Sequence, residues 1–416
     1  MSGEPGVNET ELDRLRHPDE ARATVLAQAK PLPVEWVPLI DAPWRVLGED
    51  LRATEDAPPF AAATMDGFAV VADDGSPWRE VIGEQTAGFV LDLDVTLGTA
   101  IRITTGSPVP RGADAVVPVE ETEETEDHVV MQQGTVPTGS NIRPIGADLR
   151  KGDLVLAEGS ILGPAETALV ASLGMVPVPV RRQPRAAVLS TGDELVEPGD
   201  LVGPGQIRDA NRFGLVAALI EAGAVVSWTG RAPDQRDGLR RLLADLLGEH
   251  DLVITSGGVS MGELDLIKGL LGELATVHFR RVFMKPGKPL NFATAGKTLI
   301  FGLPGNPVSA LVGFEMFVRP AIGRMLGKRA IDRPRLKVRL GRETSPTDRI
   351  EYQRARVVLD QTGRLVATTT GGQASSRLAS LVGANALLVV PPSLIPYPVG
   401  AEVEAIMLGS PLAESD

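Results

Sequence analysis

Three short loops carry the residue types that can hold an anion: Ser190-Thr191-Gly192-Asp193-Glu194, Thr255-Ser256-Gly257-Gly258-Val259-Ser260 and Gly302-Leu303-Pro304-Gly305-Asn306-Pro307-Val308-Ser309. Glycine lets backbone N–H groups approach a ligand, neighbouring hydroxyls donate hydrogen bonds, and a helix starting behind the loop adds unpaired N–H groups. Each loop alone reads more readily as a plain strand-to-helix turn. Three in one stretch point to a phosphate-bearing ligand. Between the second and third, Arg280-Arg281-Val282-Phe283-Met284-Lys285-Pro286-Gly287-Lys288-Pro289 gathers four cations in an otherwise acidic chain. Its prolines stiffen the turn, so Lys285 and Lys288 are held as a pair suited to phosphate or an oxyanion.

Carboxylates complement these cations. Asp193, Glu194, Asp209, Asp234 and Asp265 fall near loop positions of the same region. A hard cation such as Mg²⁺ takes oxygen ligands and bridges carboxylates to substrate phosphates. For Asp193 and Asp265, N-capping of a helix fits as well as ligation. The four histidines, His17, His128, His250 and His278, are scattered and form neither a metal motif nor a triad. Two nucleotide motifs fail on inspection. Gly296-Lys297-Thr298 resembles the end of a P-loop, but Asn291 stands where its first glycine belongs, and Gly203-Pro204-Gly205 is followed by Arg208 in place of the third glycine.

The absence of cysteine excludes disulfides, thiolate catalysis and Cys-based zinc sites. A net charge of −13 opposes nucleic acid or an anionic membrane as the main partner, since both are bound through positive surfaces. The acidic N-terminus has no apolar core of a signal peptide and no stretch is long enough to span a bilayer, so a cytoplasmic protein is expected.

These loops need a scaffold. Strand-like runs at 186–189, 224–228, 251–254, 277–283 and 298–301 alternate with helical segments at 211–222, 237–247, 264–274 and 308–326. Such alternation predicts a doubly wound, mostly parallel α/β sheet over 181–330, with the loops at the carboxyl ends of its strands. Beyond 331 the pattern becomes short Val-, Leu- and Thr-rich runs at 336–340, 353–359, 365–369, 386–390 and 402–407, which fit a small all-β barrel or sandwich. A helix is expected over 11–28. A β-rich insertion is expected over 53–140, flanked by pieces of another domain at 1–52 and 141–180. The acidic run 120–127 reads as a solvated loop.

In this order the motifs resemble a known family. Thr64-Met65-Asp66-Gly67-Phe68-Ala69, Arg102-Ile103-Thr104-Thr105-Gly106-Ser107-Pro108-Val109-Pro110, the loop 190–194, the loop 256–262 through Asp265, Lys285-Pro286-Gly287-Lys288-Pro289 and Gly302 to Pro307 are together similar to molybdopterin molybdenumtransferases of the MoeA type, including the E domain of gephyrin. No single motif is specific, whereas the ordered set is, and it covers nearly the whole chain.

The resemblance implies an elongated four-domain homodimer, with a C-terminal β-barrel and an active site between the α/β domain of one subunit and the β-rich domain of the other. It implies that the enzyme inserts molybdate into adenylyl-molybdopterin and releases AMP with the help of a divalent cation. By motif position it implies site roles for Asp66, Thr105, Glu194, Asp234 and Asp265, with Glu194, Asp234 and Asp265 as metal ligands. It extends these to Arg143 and Asp148 in Asn141-Ile142-Arg143-Pro144-Ile145-Gly146-Ala147-Asp148, and to Arg281, Lys285, Lys288, Pro304 and Pro307. Substrate contacts are expected from Ser190, Thr191, Gly192, Asp193, Ser256, Gly257, Gly258, Ser260, Gly305 and Asn306. Phe68 and Phe213 stand where Tyr is frequent, and Arg281 where Lys occurs; none of these departures removes a needed carboxylate or cation. A molybdopterin adenylyltransferase, which the resemblance places upstream as a partner, shares the α/β domain and is the rival assignment, but it would use ATP. A scaffold that clusters partners is the non-enzymatic alternative, weakened by the lack of a long linker.

Overall fold

The computed structural model describes residues 9–232, 235–257 and 266–413. The chain divides into two compact units, Trp36–Val178 and the combination of Met1–Glu35 with Pro179–Asp416.

The larger unit holds the α/β sheet. Its six strands run in the order Val225–Arg231, Arg185–Ser190, Leu252–Ser256, Thr298–Leu303, Pro289–Ala295, Thr276–Arg281. The first four are mutually parallel; Pro289–Ala295 runs antiparallel to both of its neighbours, so Thr276–Arg281 again points the way of the first four. Strand residues alternate faces, and the three central strands Arg185–Ser190, Leu252–Ser256 and Thr298–Leu303 are apolar and buried on both, whereas the edge strand Val225–Arg231 exposes every second residue. Leu189, Ala293 and Ile300 pack against Leu239 and Leu243 of helix Arg236–Glu249 and against Ile267, Leu270 and Leu271 of helix Leu266–Leu274. Helix Ala210–Ala222 packs against the first two strands and the helix Pro307–Gly313. The strand Pro289–Ala295 is absent from the sequence-based expectation, because it follows a Pro-Gly-Lys-Pro turn and begins on a proline.

Two expected helices are broken. The N-terminal one is two pieces, Glu9–Leu12 and Pro18–Gln28. Pro18 cannot extend an earlier helix but is favourable at the first position of a new one, which His17 caps. The expected helix at 308–326 runs as Pro307–Gly313, a π-helical turn Phe314–Val318 and Arg319–Met325.

In the same unit the C-terminal segment closes into a five-stranded barrel, Ile350–Leu359, Leu365–Thr369, Arg335–Leu340, Glu402–Met407, Ala386–Val390, with the last returning to the first. Closure leaves no free edge. Alternating small and branched residues, including Val338, Leu340, Ala355, Val357, Ala386, Leu388 and Ala405, fill its interior.

The unit Trp36–Val178 is built on a six-stranded sheet in the order Ala115–Pro118, Gly67–Val70, Thr99–Ile103, Trp78–Gln85, His128–Met131, Thr122–Glu124. Phe68, Val70, Ala100, Val117 and Val129 form its core. Part of the acidic run expected to be a loop is the edge strand Thr122–Glu124. A helix, Pro164–Ser172, and two short strand pairs complete the unit. No described helix is long and apolar enough to cross a membrane.

Candidate functional site

Ser190, Ser256 and Leu303 end three adjacent parallel strands in matching register, so the three glycine-bearing loops leave the sheet side by side. Backbone bonds lace them together: Thr191 N donates to Ser256 O at 3.0 Å, and Gly257 N donates to Leu303 O at 3.1 Å. Gly257 has φ +87°, and a Cβ there would lie 2.5 Å from Thr191 O, so only glycine permits the approach. Asn211, in the first turn of helix Ala210–Ala222, adds a side-chain tie. Its amide donates to Ser256 Oγ at 2.8 Å and to Gly305 O at 2.7 Å.

Beneath these loops is a buried polar knot. Asp209 is 1% exposed and caps the helix through Arg212 N at 3.1 Å. Its other oxygen accepts from Arg212 Nε at 3.0 Å and from the Ser190 hydroxyl. Ser190 is therefore turned inward and supports the loop, while Asp209 is occupied by a cap and an ion pair. Thr191 and Gly192 are partly accessible; Asp193 and Glu194 are exposed. Gly192 has φ +143°, and the Glu194 carboxylate folds over it, 2.5 Å from where a Cβ would stand.

The cationic turn lies beside the third loop's helix. Gly287 has φ +97°, and a Cβ there would sit 3.7 Å from Ser309 O. Lys285 pairs with Glu351 at 3.3 Å, where strand Met284–Lys285 runs alongside Ile350–Glu351 of the barrel. That glutamate is buried while the lysine keeps 40% of its side-chain surface, so Lys285 is tethered yet accessible. Lys288 is exposed, and its carbonyl accepts Val282 N at 2.9 Å. Arg281 is partly buried next to it, with its carbonyl accepting Arg16 N at 3.2 Å. Pro304 is buried, Gly305 and Asn306 are exposed, and Pro307 opens the helix that Asn306 precedes.

Four residues that the sequence did not single out shape this region. Asn211 is one. Arg354, wholly buried, donates from Nε to Ser380 Oγ at 3.0 Å and from its terminal nitrogens to the carbonyls of Gly372, Gln373 and Ala374, each at 3.2 Å. Gln373 returns a bond from Nε2 to Arg354 O at 3.2 Å. The clamped loop then presents Ser375 O to Val308 N at 3.1 Å, at the start of the helix after the third loop. The signal available was Gly371-Gly372-Gln373-Ala374-Ser375-Ser376, a turn-rich run between barrel strands.

The unit Trp36–Val178 carries its own constellation. Thr105 donates both N–H, at 2.6 Å, and hydroxyl, at 2.8 Å, to Asp66 Oδ1. The Thr105 N–H, then its hydroxyl, and the nearby Arg102 charge hold the exposed Asp66 carboxyl below its ordinary range, so it is an anion at neutral pH. Asp66 follows strand Ala62–Ala63, which pairs with Ile142–Arg143. Arg143 forms an ion pair with Asp148 on this surface. Gly67 is required: a Cβ there would fall 2.0 Å from Val117 O.

The structure thus gathers Ser190, Thr191, Gly192, Ser256, Gly257 and Gly305 in one unit and Asp66, Thr105, Arg143 and Asp148 in the other. Asp234, Gly258, Ser260 and Asp265 lie outside the described residues. Among the described residues no group of three or more acidic or histidine side chains is arranged to hold a metal.

Comparison with known proteins assigns all three segments. Residues 16–174 match the model of the MoeA N-terminal region (domain I and II), 187–324 that of a probable molybdopterin binding domain, and 337–408 that of the MoeA C-terminal region (domain IV). The chain is 36% identical to a molybdopterin molybdenumtransferase of Bacillus subtilis, over 94% of this chain and 93% of that one. It is also 36% identical to gephyrin of Dictyostelium discoideum, over 94% of this chain but 62% of that longer protein. The crystal structure of a molybdopterin biosynthesis MoeA protein from Pyrococcus horikoshii superposes with a TM-score of 0.82 at 30% identity, covering 95% of this chain and all of that one.

Proposed function

The chain belongs to the MoeA family of molybdopterin molybdenumtransferases, and from that premise we propose that it joins molybdate to adenylyl-molybdopterin, releasing AMP and forming the molybdenum cofactor. The observation carrying this is the convergence of three glycine-bearing loops at the ends of adjacent parallel strands, with the tethered Lys285 and the exposed Lys288 beside them. Loop N–H groups and hydroxyls suit a phosphate, and the two lysines suit a second anion or charge developing as the phosphoanhydride is cleaved. Molybdenum is ligated by the dithiolene sulfurs of the substrate, so a cysteine-free protein fits the reaction.

For a divalent cation such as Mg²⁺ the donor chemistry fits at Glu194, an exposed carboxylate beside the first loop, whereas Asp209 is withdrawn into its cap. Glu194 together with Asp234 and Asp265 would hold the ion, which would supply charge neutralisation on phosphate. We further propose the fourfold division at 1–52 with 141–180, 53–140, 181–330 and 331–416, a cytoplasmic homodimer, and an upstream adenylyltransferase partner. In this dimer the Asp66–Thr105 pair of one subunit would serve the α/β loops of the other. Solvent-exposed Trp36, Ile40 and Trp44, at 59, 83 and 72%, supply apolar surface of the kind a subunit interface covers.

The deciding assay is AMP release from adenylyl-molybdopterin with Mg²⁺, with and without molybdate. AMP release indifferent to molybdate, or adenylylation that consumes ATP, would remove the proposal.

A further inference from the structure

Gln85 ends strand Trp78–Gln85 with a wholly buried side chain, an unusual place for a free amide. Every polar end of it is used. Its Nε2 donates to Pro108 O, its Oε1 accepts Leu91 N at 3.0 Å, and its main-chain carbonyl accepts Thr104 N at 3.2 Å. Two of those partners, Thr104 and Pro108, bracket the tight turn that presents Thr105 to Asp66. Within that turn Ser107 N donates to Thr104 O at 3.0 Å, the hydroxyls of Thr104 and Ser107 lie 2.9 Å apart, and Gly106 takes φ +81°. The turn's own bonds set its shape. Gln85 meets both of its ends, the Thr104 end through its main-chain carbonyl and the Pro108 end through its side-chain amide.

The third partner belongs to a different loop. Residues 86–95 fold back so that Leu91 and Leu93 would meet a Cβ on Gly83 at 3.1 and 3.4 Å. Asp92 and Asp94 hold Arg111 at 2.8 and 2.9 Å, closing the loop onto the segment just after Pro108. Gln85 is the buried member common to both loops, and a buried amide that pairs with two backbone groups fixes them more firmly than an exposed ion pair does.

We infer that Gln85 is a positioning residue for the reaction, holding the 104–108 turn so that both Thr105 donors reach one oxygen of Asp66. The inference rests on the proposed role of the Asp66–Thr105 pair. A shift of the turn by an ångström breaks one of the two bonds, since both run to the same oxygen.

Gln85→Leu keeps much of the volume and removes both amide bonds; Gln85→Glu keeps the acceptor for Leu91 and loses the donor to Pro108 unless protonated. Two readouts are needed, hydrogen exchange of the 99–108 segment and molybdate-dependent AMP release by the full chain. Exchange in that segment is expected to accelerate in Gln85→Leu, and turnover to fall about tenfold to a hundredfold. Added to Thr105→Ala, which keeps the backbone N–H bond to Asp66, Gln85→Leu is expected to cost less than it does alone, because only one of the two bonds it positions is left to lose. Gln85→Glu is expected to regain turnover relative to wild type as pH falls and its carboxyl takes up a proton; it also serves if the leucine variant does not fold. Unchanged exchange, wild-type turnover, or losses that multiply independently with Thr105→Ala would overturn the inference. A wild-type protein giving no molybdate-dependent AMP would instead remove the functional premise, a separate outcome.

Discussion

Thr105 directs two donors, N–H and hydroxyl, at the same oxygen of Asp66, which leaves the second oxygen of that carboxylate open to solvent. An anion so held is an acceptor at neutral pH and a poor acid. Asp66→Ala is therefore expected to abolish molybdate-dependent AMP release while leaving the melting temperature near that of wild type, because the side chain is exposed and supports no core. Thr105→Ala should show a smaller loss, since the backbone N–H of residue 105 still donates to Asp66 and, with the Arg102 charge, still favours the charged form. Turnover by Asp66→Ala at the wild-type rate would reduce the Thr-Met-Asp-Gly segment to a turn.

Asn211 ties the second and third loops through one amide, and Asn211→Ala leaves Gly305 O and Ser256 Oγ without that donor. A lost bond of this kind costs about 1 kcal/mol when water can replace it and up to about 3 when it cannot. Gly305 is exposed, so water can replace its bond, whereas Ser256 is 2% exposed, so the stability cost is expected between these figures, and a further effect is expected on substrate affinity. Calorimetric titration with AMP should show weaker binding by Asn211→Ala; equal affinity would mean that the strands alone hold the loops.

The α/β unit was legible because strands and helices alternate at lengths that leave little choice, and because glycine at a strand end has a local cause. What escaped was set by distant partners. Asp209 carries the same carboxylate as Glu194 and sits as close to a loop, yet Arg212 and Ser190 draw it inward, a difference that no local pattern encodes. Gln85 and Arg354 act through bonds to main-chain groups of other loops, and such bonds leave no motif. The proline that opens strand Pro289–Ala295 hides it from a pattern reading, and the periodicity over 11–28 runs across Pro18, whose ring ends one helix and begins the next.

Arg354 is a charge buried without a hydrogen-bonded carboxylate, held by three carbonyls and a serine hydroxyl. Burial lowers its pKa, and the Glu351 charge acts against that shift. Arg354→Lys cannot reproduce a planar fork that reaches three carbonyls at once. Arg354→Ala, which leaves them unpaired, is expected to destabilise the protein by about 3 kcal/mol or more. Denaturant unfolding checks this. Limited proteolysis should cut first in the 371–377 loop, which loses its anchor in either variant; a cleavage pattern matching wild type would mean that the barrel, not Arg354, sets that loop.

His278 gives the fold a dependence on acid that is separate from the site. The ring stacks on Phe292 with centroids 5.2 Å apart, its Nε2 pairs with Thr294 Oγ1 at 2.9 Å, and burial first, then the Arg16 charge, depresses its pKa. A base whose folded pKa lies below its unfolded value binds protons more readily when unfolded. Its contribution is therefore complete above the unfolded value of about 6.5 and is lost as pH falls from there toward the folded value. Wild-type stability should decline as the solution is taken from neutral into the mildly acidic range, and His278→Phe, which cannot be protonated, should decline less. At neutral pH the variant gives up the bond to Thr294, so the two stability curves should converge or cross on acidification. Parallel curves from pH 8 to pH 5 would show that His278 titrates alike in the folded and unfolded chains.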